Sequence, residues 1–156
     1  MEDDDIEPEV RALRNIFLVN ERAMFELVVA PLTIGELAAI RDTYTRVSHL
    51  RWALEVLEHW HITLSEIGDD SVRQQRSLSP ELVALEDDLL KIPDLRRSPY
   101  DRLILLETRM AGCSALITLD SRTILRHREV LEKLGISVLL PSEFWEALRP
   151  WAALWR

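Results

Sequence analysis

Cysteine is nearly absent from this sequence, which contains a single thiol at Cys113. A lone cysteine cannot form an intramolecular disulfide, so the chain fits a reducing compartment and we expect a cytoplasmic protein. Cys113 itself is expected to be a small buried side chain, because free cysteine packs as a hydrophobe.

Long apolar runs are absent as well. None approaches the roughly 20 residues that a helix needs to cross a bilayer. The acidic start, MEDDDIEPEV, lacks the basic and apolar segments of a signal peptide. We therefore expect no membrane partner.

Positive charge is scarce, since the net charge is −8. This balance excludes a general nucleic-acid coat protein, because phosphate binding needs a basic surface. It is compatible with a local basic rim around an acidic, metal-loaded cleft. Of the basic residues, 17 are Arg and two are Lys. Arginine suits phosphate contacts, but the base composition of the gene explains this bias equally well.

Helical and strand patterns alternate along the chain, whose 156 residues favour one domain spanning 1–156. Short apolar runs predict strands at 26–30, 59–64, 114–119 and 136–140. Helical spacing of apolar residues predicts helices over 8–24, 33–42, 47–57, 80–92, 100–111 and 121–134, and from about 142. The alternation predicts an α/β fold, with a parallel β-sheet and helices on both faces.

Two polar or tryptophan-rich segments interrupt this pattern. Residues 65–79 predict a long surface loop. The tail 150–156 contains Trp151 and Trp155, and we expect Pro150 to break the last helix before it. The tail either docks on the core or forms a protein interface, since tryptophan and arginine are enriched at binding hot spots.

Three carboxylates follow strands or open helices, namely Glu36, Asp101 and Asp120. Each has an ordinary structural explanation, because Thr33 with Glu36 and Ser98 with Asp101 resemble capping boxes, and Asp120 can be an N-cap. The carboxyl ends of parallel strands share one edge of a sheet, so the three acids are also expected to converge. Converging carboxylates repel one another unless a cation is bound, and oxygen ligands suit Mg²⁺ or Mn²⁺.

The segments ELVVAPLTIGEL, DRLILLETRMAGCSALITLDSRTI and LGISVLLPSEFWEAL resemble, in order, the second-acid, third-and-fourth-acid and closing segments of PIN domains. The resemblance covers roughly residues 8–149, and Asp120 comes 19 positions after Asp101. PIN domains are metal-dependent nucleases, common as toxins of toxin–antitoxin pairs and as RNA-processing enzymes. The resemblance implies a PIN-like ribonuclease that cleaves single-stranded RNA by metal-assisted attack of water at phosphorus.

The same resemblance implies roles for individual residues. Glu36, Asp101 and Asp120 would be catalytic metal ligands, Thr118 of TLD would support the site, and Arg122 would contact RNA phosphate. Toxins of this family often dimerise and are held inactive by an antitoxin protein, so a homodimer and an antitoxin are the expected protein partners.

The resemblance has one gap, at the N-terminal strand. The family begins with a strand that ends in an aspartate, and no apolar run precedes Asp3, Asp4 or Asp5. A start assigned too late, at Met1, explains the gap better than degeneration, because loss of a central strand exposes its neighbours' backbone groups. As written, the chain is expected to be a weak or inactive nuclease. The alternative is a non-catalytic PIN-like module that binds protein or RNA.

Overall fold

A computed structural model describes residues 3–20, 39, 41–44, 46–47 and 79–152. The chain divides into two compact units, one formed by Met1–Glu26 with Cys113–Arg156 and the other by Leu27–Gly112. The prediction of a single domain stays a prediction. Several predictions concern residues outside these ranges. They are the site residue Glu36, the strands 26–30 and 59–64, most of the helices 33–42 and 47–57, the loop as far as residue 78, and the tail residues 153–156.

The described elements are mainly helices, together with two short strands. In chain order they are α1 (Asp3–Asn20), α2 (Pro80–Leu90), α3 (Pro93–Arg97), α4 (Pro99–Met110), β1 (Leu116–Ile117), a 3₁₀ helix (Leu125–His127), α5 (Arg128–Lys133), β2 (Val138–Leu139) and α6 (Pro141–Ala152). No helix within these ranges is long and apolar enough to span a bilayer.

Strands β1 and β2 pair in parallel, with Leu116 opposite Val138 and Ile117 opposite Leu139. The pairing is extended by hydrogen bonds from the N–H of Leu116 to the Ser137 carbonyl at 2.8 Å and from the N–H of Thr118 to the Leu139 carbonyl at 3.1 Å. The parallel arrangement of the α/β prediction is therefore confirmed for these strands, which are shorter than the predicted 114–119 and 136–140. A larger sheet with helices on both faces stays a prediction.

The connection from β1 to β2 differs from its prediction. A continuous helix over 121–134 is wrong for its first part, because residues 121–124 form turns and a 3₁₀ helix precedes α5. The carboxylate and carbonyl of Asp120 take up the first N–H groups of this segment, which tightens its opening turn. Ile124 and Leu131 are buried, and Gly135 follows α5 with a positive φ of 80° that favours glycine.

Helices α1 and α6 pack against each other in the unit that contains the strands. Ala12 and Ile16 of α1 are buried, and so is the carboxylate-bearing Glu9. Glu9 accepts hydrogen bonds from the N–H of Ser142 at 2.8 Å and from its hydroxyl at 2.7 Å. A side chain from α1 thus satisfies the first turn of α6, where backbone N–H groups have no intrahelical partner.

The predicted start of the first helix and the predicted break of the last one are both wrong. Helix α1 begins at Asp3 and not at residue 8, so Pro8 lies inside it. Helix α6 continues through Pro150 to Ala152 and does not break there. Each proline removes one backbone hydrogen bond near a helix end. Helix α1 packs on α6 and buries Ala12 and Ile16, and this burial offsets the loss.

Helices α2, α3 and α4 pack together in the second unit. Their shared core contains the fully buried Leu89, Leu95, Leu105 and Leu106. The predicted helices 80–92 and 100–111 are confirmed with small shifts at their ends, whereas the sequence patterns did not predict α3. Gly112 follows the end of α4 with a φ of 66°.

The contact between α1 and α6 predicts the effect of removing the Glu9 carboxylate. Glu9→Ala leaves two donors of Ser142 without their partner at a buried position, so the free energy of unfolding should fall by about 1–3 kcal/mol. Urea denaturation followed by circular dichroism measures the change. Glu132→Ala, at an exposed position of α5, is the matched control, and an equal loss in the two variants would contradict the assigned contact.

Candidate functional site

Asp120 follows β1 at the carboxyl edge of the parallel pair, and its carboxylate organises the turn that comes next. Oδ1 accepts hydrogen bonds from the N–H of Arg122 at 2.9 Å and from the N–H of Thr123 at 3.1 Å. Oδ2 accepts a hydrogen bond from the Thr123 hydroxyl. We call residues 118–123 the Asp120 turn. Its carboxylate has a fixed orientation because three donors hold it.

Thr118 supports this turn from the strand side. Its hydroxyl oxygen accepts a hydrogen bond from the N–H of Asp120 at 3.1 Å, while its own N–H is bound to β2. The T-x-D spacing therefore places a short polar side chain directly beneath the Asp120 backbone. The geometry agrees with a supporting role for Thr118, although its part in metal binding stays a prediction.

The pKa of Asp120 is lowered from its ordinary value. Burial, the largest single influence, acts to raise the pKa. The hydrogen bonds from Thr123, Arg122 and Ile124 together outweigh burial because they stabilise the charged form. Asp120 is therefore an ionised, oriented carboxylate at neutral pH.

Asp101 occupies the first turn of α4 and is half-buried. Its N–H donates to the Ser98 hydroxyl at 3.5 Å, so Ser98 caps the helix as predicted. The return bond of a capping box is not formed, since the N–H of Ser98 donates to the carbonyls of Asp94 and Leu95 at 3.2 Å. The capping explanation accounts for Ser98 but not for the Asp101 carboxylate, which contacts no hydrogen-bond donor among the described residues.

Asp101 and Asp120 belong to different compact units, and Glu36 lies outside the described residues. Within the described ranges no group of three or more His, Cys, Asp or Glu side chains is arranged to hold a metal ion. The convergence of the three predicted acids therefore stays a prediction.

Basic side chains lie in the Asp120 turn and in the helix that follows it. Arg122 is exposed, and its backbone N–H is bound to the Asp120 carboxylate. Arg128 instead forms an ion pair with Glu143 at 2.8 Å, and Glu143 also accepts from the N–H of Leu140 at 2.9 Å. Arg128 thus ties the connection between the strands to the start of α6. Arg122 is better placed than Arg128 to meet a ligand.

Thr123 is the site residue that the sequence reasoning missed. Both its N–H and its hydroxyl donate to Asp120, so it contributes more hydrogen bonds to this carboxylate than any other described residue. The D-x-x-T spacing could have identified this contact, because a capping carboxylate commonly accepts from the backbone N–H three residues later.

The hydrogen bonds of the Asp120 turn predict a pH-dependent stabilisation. Asp120→Ala should lower the free energy of unfolding by about 1 kcal/mol at pH 7, because the N–H groups of Arg122 and Thr123 lose their acceptor. The pKa of Asp120 is lower in the folded chain than in the unfolded chain. The ionised carboxylate therefore contributes its full stabilisation at pH values above the unfolded-state pKa of about 3.9. The contribution is lost as the pH falls through the lower folded-state value.

Unfolding measured between about pH 7 and pH 2.5 tests this. The difference between the wild type and Asp120→Ala should narrow on acidification. Glu129→Ala, an exposed position of α5 with no hydrogen bond to the turn, controls for general charge effects. A difference that stays constant or grows on acidification would contradict the role assigned to the ionised carboxylate.

Comparison with known proteins adds no relative to this description, because no family model, no curated protein and no solved structure matches the chain. The likeness to PIN domains therefore stays a prediction from the quoted segments.

Proposed function

We propose that this chain is a PIN-like ribonuclease that depends on Mg²⁺ or Mn²⁺ and cleaves single-stranded RNA, as the toxin of a toxin–antitoxin pair. The observation that carries the proposal is the Asp120 turn. It presents an ionised carboxylate at the carboxyl edge of two parallel strands, the edge where α/β proteins bind their ligands.

The carboxylates of Asp120 and Asp101 suit a hard divalent cation. Oδ2 of Asp120 accepts from the Thr123 hydroxyl, and a carboxylate oxygen has a further lone pair that can face a ligand. The Asp101 carboxylate makes neither a hydrogen bond nor an ion pair with the described residues. Mg²⁺ and Mn²⁺ prefer such oxygen ligands and retain several waters.

The proposal assigns each residue a separate task. Glu36, Asp101 and Asp120 are the metal ligands. A bound divalent ion supplies a water of lowered pKa and stabilises the charge that develops at phosphorus. Thr118 and Thr123 hold Asp120 in one orientation through the hydrogen bonds described above. Arg122, which is exposed beside Asp120, binds an RNA phosphate and so orients the strand. An antitoxin protein and a second copy of the chain are the proposed protein partners.

A second candidate is a non-catalytic PIN-like module that binds RNA or protein. Two observations favour it. The Asp120 carboxylate is already engaged by its own turn, and no metal-binding cluster occurs within the described ranges. In that case Asp120 is a structural cap, and the protein acts through its surface alone.

A cleavage experiment with charge-neutral variants tests the proposal. Asp120→Asn keeps an oxygen that can accept from Arg122 and Thr123, but it removes the charge that a cation needs. We expect Asp120→Asn and Asp101→Asn each to reduce to background the cleavage of a fluorescent single-stranded RNA that the parent chain shows in Mn²⁺. Titration calorimetry should show that both variants have lost affinity for Mn²⁺.

The matched control is Asp88→Asn, which removes an exposed carboxylate paired with Lys91 at 2.6 Å. This variant should cleave and bind Mn²⁺ like the parent chain, because an exposed pair contributes little. If the parent chain does not bind Mn²⁺ at millimolar concentration, the second candidate is favoured. If it cleaves RNA and Asp101→Asn cleaves equally well, Asp101 is not a ligand.

A further inference from the structure

Two arginines and a tyrosine are exposed where α3 meets α4, and the proposed nuclease site uses none of them. Arg96 and Arg97 end α3, and both are exposed. Tyr100 lies in the first turn of α4 with 58% of its surface exposed. We call Arg96, Arg97 and Tyr100 the Arg–Tyr corner.

The backbone of the Arg–Tyr corner is held by a side chain of α4. Arg102 donates from Nη1 to the carbonyl of Leu95 at 2.6 Å and to the carbonyl of Arg96 at 2.8 Å. These carbonyls lie at the end of α3, where acceptors lack a full set of intrahelical donors, and the Leu95 carbonyl also accepts from the N–H of Ser98. Leu95 is fully buried, so the corner is also anchored from within. A ligand that binds there does not have to order the backbone first, and this lowers the entropic cost of binding.

The charges of the Arg–Tyr corner are available to a ligand. No carboxylate among the described residues forms an ion pair with Arg96 or Arg97. Lys91, Arg128 and Arg149 differ in this respect, because each is paired with an acid. Residues 96–102 contain three arginines and one aspartate, a formal charge of +2 in a chain whose net charge is −8. This local positive charge favours an anionic ligand.

We propose that the Arg–Tyr corner binds a segment of single-stranded RNA. Two guanidinium groups contact phosphates of its backbone, and the exposed ring of Tyr100 stacks on a base. Stacking requires an unpaired base, so this combination favours a single strand over a duplex. The inference rests on the proposed function and adds to it a surface that receives the substrate.

Binding of a fluorescein-labelled oligouridine of about 12 nucleotides tests the proposal, a length within the usual range of single-strand sites. Fluorescence anisotropy is measured with the full chain in EDTA, so that cleavage and metal binding do not contribute. Arg96→Ala and Arg97→Ala should each weaken binding several-fold and reduce the slope of log K against log salt by about 0.7. Tyr100→Ala should weaken binding about tenfold, whereas Tyr100→Phe keeps the ring and should bind like the parent chain.

Arg109→Ala is the matched control, because Arg109 is an exposed arginine at the other end of the same helix. It should leave the affinity nearly unchanged. Circular dichroism of every variant confirms that the fold is intact. The proposal is overturned if the chain does not bind the oligonucleotide, or if Arg109→Ala weakens binding as much as Arg97→Ala does. An acidic protein surface is then the better partner for the two arginines.

The outcomes for the two proposals can be told apart. Binding that depends on the Arg–Tyr corner, in a chain that never cleaves RNA, supports the RNA-binding surface and rejects the nuclease. Cleavage that requires Asp101 but whose KM is unchanged by Arg96→Ala, Arg97→Ala and Tyr100→Ala supports the nuclease and rejects the surface.

Discussion

The parallel pairing of β1 with β2 is the constraint on which the arrangement around Asp120 depends. Parallel neighbours cannot be joined by a hairpin, so the chain must leave the end of β1, cross over and return to the start of β2. The crossover begins at Asp120, and its α5 packs against β2 through the buried Leu131. The same constraint places the polar turn at the carboxyl edge of the strands, where the backbone groups of residues 121–123 are not taken up by the sheet.

In the Asp120 turn, capping and a functional role are not exclusive. The donors that bind the Asp120 carboxylate also fix its orientation. They lower its pKa, because their stabilisation of the charged form outweighs the opposing effect of burial. Such an arrangement requires no separate scaffold for a ligand.

Local sequence rules predicted polar contacts between neighbouring residues better than polar contacts between distant ones. The S-x-x-D spacing predicted that Ser98 caps α4, and it does. The expected return bond from Asp101 is absent because the N–H of Ser98 is already bound to the last carbonyls of α3, a helix that the sequence patterns did not predict. Glu9 shows the opposite case, since its partner Ser142 lies 133 positions away and no local spacing could identify it.

The sequence by itself determined the apolar faces of α2, α4 and α5, the parallel pairing of the short strands, the glycines that end α4 and α5, and the T-x-D geometry. These features depend on interactions within a few residues or on the burial of a periodic apolar face. Only the tertiary structure decided that α1 and α6 continue past their prolines, that Glu9 caps a distant helix and that Arg102 holds the Arg–Tyr corner. In each of these cases a contact between elements outweighs the local preference, because it buries apolar surface or satisfies backbone groups that the segment cannot satisfy alone.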